Sequence, residues 1–293
     1  MHYLLGAFLA TAATVAIVLL AVHLGFRAPR RVERGSPADL GLPHEEVRIA
    51  AVDGKRLFAW WLPSADATAP CVVLMHGWGG NAELMLPLAQ PLHAAGLNVL
   101  LPDARNHGRS AAASYSSMPR FAEDVGAAVD WLRTRIPPPN AIVLLGHSVG
   151  AAAVLLEASR RRDIAAVISI AAFAHPEWMM RRQLARLGLP APLVDGVLRY
   201  VEWVIGHRYD DIAPVNTIRR VGCPVLLVHG RADDTVPATD ALAIRGDPGS
   251  DAVELLLIDG AGHNSVDMIE HHADRLLAFL RRAGVRVRVR REE

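Results

Sequence analysis

The polarity pattern of this chain changes character twice. From Tyr3 to Phe26 there is no Asp, Glu, Lys or Arg, and Leu, Ala and Val dominate. About two dozen residues at ~1.5 Å each match a hydrocarbon core about 30 Å thick, which predicts a transmembrane helix. A cleaved signal peptide is the rival reading, but the run has no basic leading region and exceeds the usual apolar core of such peptides. No convincing small-x-small cleavage site follows it either. A buried core helix is the third reading. Arg27, Arg30, Arg31 and Arg34 follow the run directly and no Lys or Arg precedes it, a bias that places the bulk of the chain on the cytoplasmic side of a cell membrane crossed once. The alternative is that these arginines form only a solvated linker.

After Pro43 the pattern becomes that of strands. Glu46–Val52 and Leu57–Leu62, joined by Asp53-Gly54, read as a hairpin with a turn dipeptide that two-residue loops prefer. Apolar runs then alternate with longer mixed ones. Strands are expected at Cys71–Met75, Leu97–Leu101, Ile142–Leu145, Ala165–Ala171, Val225–Val228 and Val253–Ile258. Helices are expected at Ala82–Ala95, Phe121–Arg135, Ala151–Arg161, near Ala238–Ile244 and over a closing Val266–Arg282. Continuous apolar strands separated by helices predict an α/β fold, a mostly parallel sheet covered on both faces.

One stretch interrupts the alternation. Between Ala172 and Ile218 lie Pro176, Pro190, Pro192 and Pro214 with two amphipathic pieces, Trp178–Leu187 and Leu193–Ile205, and an excursion this long predicts a short helical cap. Trp178, Met179 and Met180 either pack onto the body or wall a substrate crevice. At the other end, Val285–Arg291 alternates Val and Arg after a finished helix. It is expected to be a frayed basic tail, with contact to anionic headgroups as the sharper reading. The chain thus divides into an anchor over 1–27, a basic linker over 28–44, one globular domain over 45–283 with its cap within 172–218, and a tail over 284–293.

Composition narrows the function. With 293 residues, 52% of them hydrophobic, the chain suits one large α/β domain rather than two. Its formal net charge of +1 and the lack of arginines interleaved with aromatics argue against nucleic acid as a partner. Cys71 and Cys223 each stand at the start of an expected core strand and make no disulfide framework. No His, Cys, Asp and Glu set has metal-ligand spacing, His271 and His272 included, and neither a P-loop nor a dinucleotide fingerprint occurs, so no metal and no cofactor are expected.

The candidate chemistry lies where strands end. Ile142–Leu145 runs into Gly146-His147-Ser148-Val149-Gly150 and on into the alanine-rich Ala151–Ala158, the strand–turn–helix setting that a G-x-S-x-G serine requires. There the Ser148 hydroxyl points from the C-terminal edge of the sheet, and the backbone N–H of Val149 opens a helix, suited to a developing oxyanion. A serine needs a base and an orienting acid. The loop Gly230-Arg231-Ala232-Asp233-Asp234 follows one later strand, and Asp259-Gly260-Ala261-Gly262-His263 follows the next, so a carboxylate and an imidazole leave the same sheet edge. The strand Val72–Met75 runs into His76-Gly77-Trp78-Gly79-Gly80, which offers the N–H of Trp78 as the second oxyanion donor. The loop Pro102–Ser110 is read as scaffolding beneath the site.

These features resemble the α/β-hydrolase superfamily, in particular its monoacylglycerol-lipase and serine-aminopeptidase-like branch. The resemblance is carried by the His76-Gly77 loop, the Asp103–Ser110 loop, the Gly146–Gly150 elbow, Gly230–Pro237 and Gly262-His263, and it spans about Glu46 to Arg282. It implies the α/β-hydrolase fold and a triad of Ser148, Asp233 and His263, with Asp233 preferred over its neighbour Asp234. Substrate is not specified by such motifs, since this fold hosts many chemistries. The membrane-proximal site, the bulky Trp78 and a cap carrying Trp178 and Met179 favour a carboxylic ester with an apolar or lipid-like acyl group, held as an acyl-enzyme. Small esters, thioesters and peptides are the alternatives, as is a catalytically silent ligand-binding module on the same fold.

Overall fold

The computed structural model describes residues 24–135, 137–246 and 252–288, with positions 5, 6, 9, 20 and 22 ahead of them. Most of Tyr3–Phe26, expected to cross a membrane, lies outside the described residues. Among the described residues no helix is long and apolar enough to cross one.

Among the described residues eight strands build one sheet: β1 (Glu45–Ala50), β2 (Arg56–Leu62), β3 (Cys71–Met75), β4 (Asn98–Pro102), β5 (Ile142–His147), β6 (Ala166–Ile170), β7 (Val225–Gly230) and β8 (Val253–Ile258). Their order is β1-β2-β4-β3-β5-β6-β7-β8. β1 pairs with β2 and β2 with β4 antiparallel, and the remaining pairs are parallel. The β1–β2 turn holds Asp53 at φ 58° and Gly54 at φ 66°, the left-handed geometry that an Asp-Gly hairpin turn provides. Strands β3, β5 and β6 are buried at every residue, which is why they read as unbroken apolar runs rather than alternating ones.

The helices are α1 (Leu86–Ala94), α2 (Met118–Arg133), α3 (Val149–Ala158), α4 (Pro176–Ala185), α5 (Ala191–Ile205), α6 (Tyr209–Ile212), α7 (Pro214–Thr217), α8 (Ala238–Arg245), α9 (Val266–Glu270) and α10 (Ala273–Arg282). One face of the sheet takes α2 and α3 through Phe121, Val125 and Leu155; the other takes α1 and α10 through Leu88, Phe279 and Leu280. The two cores make this the doubly covered α/β-hydrolase architecture. α4 and α5 form the cap, with an apolar centre of its own made by Val194, Val197, Leu198, Val201 and Tyr209.

Several local expectations change. The helix expected from Ala82 begins as a 3-10 turn, Ala82–Met85, and becomes α-helical at Leu86, where Pro87 falls in the first turn and its missing N–H costs nothing. The closing helix is two pieces. α9 buries Val266 and Ile269, α10 buries Leu276, Leu277 and Leu280, and the break at His271-His272 lets each present its own apolar side to the core. The stretch after α10 is docked rather than frayed as far as Arg288. Gly284 at φ 78° turns the chain back, Val285 is buried, and the Arg288 N–H donates to the Ala95 carbonyl at 2.9 Å. The tail from Val289 lies outside the described residues.

The arginine-rich stretch after Phe26 also lies on the body. Arg30 donates to the carbonyls of Gly108 and Ser110 at 3.0 and 2.8 Å, and the Glu83 carboxylate accepts the N–H groups of Arg34 and Gly35 at 2.9 and 3.1 Å. Residues 26–35 therefore form a strap across the loops that follow β3 and β4.

Candidate active site

Parallel strands end at one edge of the sheet, and the loops leaving β5, β7 and β8 bring Ser148, Asp233 and His263 together there. Oγ–H of Ser148 donates to Nε2 of His263 at 2.9 Å, and Nδ1–H of His263 donates to Oδ2 of Asp233 at 2.8 Å. Each bond defines the next, since an imidazole that gives its Nδ1 proton to a carboxylate keeps Nε2 free to accept. Asp234, the rival carboxylate, is exposed, and among the described residues its Oδ1 accepts only from the Thr235 hydroxyl at 3.2 Å.

Ser148 sits at φ 55°, ψ −118°, in the left-handed half of the map that a non-glycine residue adopts only when its surroundings force it. The serine itself carries the backbone strain. Gly146 and Gly150 have ordinary φ and are needed for a different reason. A Cβ on Gly150 would lie 2.5 Å from the Met75 carbonyl oxygen, and one on Gly146 would be 2.7 Å from the Ala151 nitrogen. They allow helix α3, buried at all ten residues, to close onto β3 and β5.

The Asp233 carboxylate is held on both oxygens. Oδ1 accepts the N–H groups of Thr235 and Val236 at 2.9 and 2.8 Å. His229 Nε2 lies 3.4 Å from Oδ2 and donates to the Val236 carbonyl at 2.8 Å. Burial by itself would raise this carboxyl, but the bonds from His229, His263 and Val236 outweigh it and keep Asp233 well below the ordinary carboxylate range. It therefore stays ionised as the partner of His263.

Two further histidines frame the site as neutral donors. His147, wedged beneath His263, donates from Nε2 to the His263 carbonyl at 2.7 Å, and burial lowers it to about 4. His76 donates from Nδ1 to the Gly77 carbonyl at 2.7 Å and accepts the Ala104 N–H on Nε2 at 3.0 Å. Both partners specify one neutral tautomer, and burial holds this ring at about 4 as well. His147 and His229 escaped the sequence reading as parts of the site. Their positions, one residue before Ser148 and one before the end of β7, were the available signal.

The loop after β4 is scaffolding. Oδ1 of Asp103 accepts the Ala82 N–H and Oδ2 the Arg109 N–H, both at 2.8 Å. Buried Arg105 makes a charged pair with buried Asp124 of α2 at 2.6 Å. The loop is thus tied to Ala82, just after the His76–Gly80 segment, and to α2.

Ser148, Val149 and Trp78 border one apolar cleft of about 330 Å³ between body and cap. Val149 is the first residue of α3, where a helix N–H has no carbonyl one turn back to pair with. Met179 and Met180 line the cleft, as does Phe173. Trp178 does not. It stacks on His175 with ring centroids 5.4 Å apart and is 44% exposed, because neighbouring helical residues point about 100° apart and only one arc of α4 can face the site. Among the described residues no group of His, Cys, Asp and Glu is placed to hold a metal ion.

This sheet, elbow and cap define an α/β hydrolase. Residues 66–212 match the family described as Serine aminopeptidase, S33, and the chain belongs to that family. An uncharacterized protein of Mycobacterium tuberculosis is 28% identical over 249 residues, covering 82% of this chain and 80% of the other. Alpha/beta hydrolase domain-containing protein 17C of Mus musculus is 30% identical over 160 residues, 54% of this chain and 43% of that protein. Among solved structures, the Pyrococcus furiosus esterase Pf2001 superposes with a TM-score of 0.70 at 26% identity, covering 87% of this chain and 96% of the esterase.

Proposed function

We propose that the protein is a serine hydrolase that cleaves a carboxylic ester with an apolar acyl group. The reading is carried by one observation, the Ser148–His263–Asp233 bond chain opening onto an apolar cleft. In the reaction Ser148 Oγ bonds to the ester carbonyl carbon as His263 Nε2 takes its proton. The N–H groups of Trp78 and Val149 hold the resulting oxyanion. The alcohol leaves with the proton returned by His263, and water repeats the sequence on the acyl-serine. Asp233 stabilises the imidazolium throughout.

The family description supports a second reading, removal of an N-terminal amino acid from a peptide. An aminopeptidase needs a carboxylate to hold the substrate ammonium, and none of the described residues lining the cleft is acidic. That favours the ester. Ser148→Ala is expected to abolish ester turnover and covalent labelling by a fluorophosphonate, and full turnover in that variant refutes the assignment. Hydrolysis of aminoacyl anilides with none of esters transfers the reading to the peptidase. The uncharged run Tyr3–Phe26 followed by four arginines further supports a single membrane crossing with the domain cytoplasmic. Release by carbonate wash removes that anchor, and digestion of the domain from outside sealed cells reverses its orientation.

A further inference from the structure

We infer that the N-terminal segment is part of the acyl site, and that Phe26 determines specificity for the length of the acyl chain. The inference rests on the ester-hydrolase reading and adds a residue outside both body and cap.

Phe26 and Gly25 border the same cleft as Ser148 and Val149. The Phe26 ring meets Trp78 edge to face, centroids 6.3 Å apart and planes at 88°, so it abuts the residue whose N–H is assigned to the oxyanion. Its carbonyl accepts the Ser116 N–H at 2.8 Å, which pins the backbone to the loop leading into α2. On its other side Phe26, with Val22, closes against Tyr200, Val201, Val204 and Ile205 of α5. The strap of Arg30 and Glu83 contacts fixes this geometry from behind.

The cap meets the body along Met179 and Met180 on one side of the cleft; on the other, the N-terminal segment fills the space between α5 and Trp78. An acyl chain attached to Ser148 would run along that wall. Truncating a ring that covers about two methylenes forfeits about tenfold in kcat/KM for chains long enough to reach it, and less for an acetyl group that does not. An enlarged ring has the opposite geometry and shortens the groove.

The test compares p-nitrophenyl acetate and octanoate with the full chain in detergent micelles. Phe26→Ala is expected to lower the octanoate-to-acetate ratio of kcat/KM about tenfold, Phe26→Leu to restore most of it, and Phe26→Trp to move the preference toward shorter esters. Leu24→Ala, at a position 49% exposed, is expected to keep the wild-type ratio. Unchanged ratios in the Phe26 variants, with fluorophosphonate labelling of Ser148 intact, overturn the inference and leave the hydrolase reading standing. An equal change in Leu24→Ala also overturns it, because the effect then belongs to the segment's surface. A wild-type chain that neither turns over esters nor takes the label sinks the hydrolase reading and this inference with it.

Discussion

Replacing Gly150 by Ala tests whether the close approach of α3 to β3 sets the catalytic geometry. The new Cβ would stand 2.5 Å from the Met75 carbonyl oxygen and closer still to that of His76. Carbon–oxygen contacts settle at about 3.3–3.6 Å, so one backbone has to retreat by about 1 Å. Both crowded carbonyls belong to the chain that leads directly into Gly77 and Trp78. Overpacking of this kind costs about 1–3 kcal/mol, which at about 2–4 °C per kcal/mol in a domain of this size lowers Tm by roughly 2–12 °C. The larger effect expected is on rate, because a 1 Å displacement of the proposed oxyanion donor is worth about a hundredfold in kcat/KM. Thermal melts and ester kinetics on the purified chain read both quantities. The control is Gly196→Ala, in the exposed part of α5 with nothing within 4 Å of the new atom. It should raise stability by about 0.5–1 kcal/mol and leave turnover alone. Wild-type Tm and kcat/KM in Gly150→Ala would refute the steric argument.

Asp233→Asn should keep the fold but present an amide N–H to His263 Nδ1, forcing the proton onto Nε2 so that the ring cannot accept from Ser148. A fall of about 10³–10⁴ in kcat is expected with Tm little changed, and retention of a tenth of the activity would contradict the tautomer argument. The strap carries a pH signature. Burial, then the adjacent Asp103 carboxyl, pushes Glu33 from 4.5 up to about 7. A raised carboxyl makes the folded state bind more protons than the unfolded one between these values, so its stabilising contribution is complete below 4.5 and is lost as pH rises through about 7. Glu33→Gln removes that slope, so Tm of the variant relative to wild type should rise from pH 5 to pH 8; parallel Tm curves would show that Glu33 is not buried against Asp103.

What could be read along the chain was whatever depends on local pattern and order. Unbroken apolar strands alternating with helices imply a parallel sheet, and a parallel sheet delivers every following loop to one edge. For that reason the meeting of Ser148, Asp233 and His263 was legible although 85 and 30 residues separate them in sequence. Asp53-Gly54 announced its turn because the backbone need is met by the residues themselves. Other features depend on what lies across from a residue, which no local pattern records. The reason for Gly146 and Gly150 is the backbone opposite them, and it appears only when α3 lies on the sheet. His147 and His229 are histidines in strands until the carbonyl of His263 and the carboxylate of Asp233 come within reach. Trp178 and Met179 are adjacent in sequence and equally apolar, yet the rotation of α4 turns one to solvent and the other into the cleft. The arginine-rich stretch read as a linker because its charges suggest solvent, whereas the carbonyls of Gly108 and Ser110 and the carboxylate of Glu83 bind it to the body. Only tertiary packing, by supplying partners from distant segments, made that strap and placed Phe26 beside Trp78.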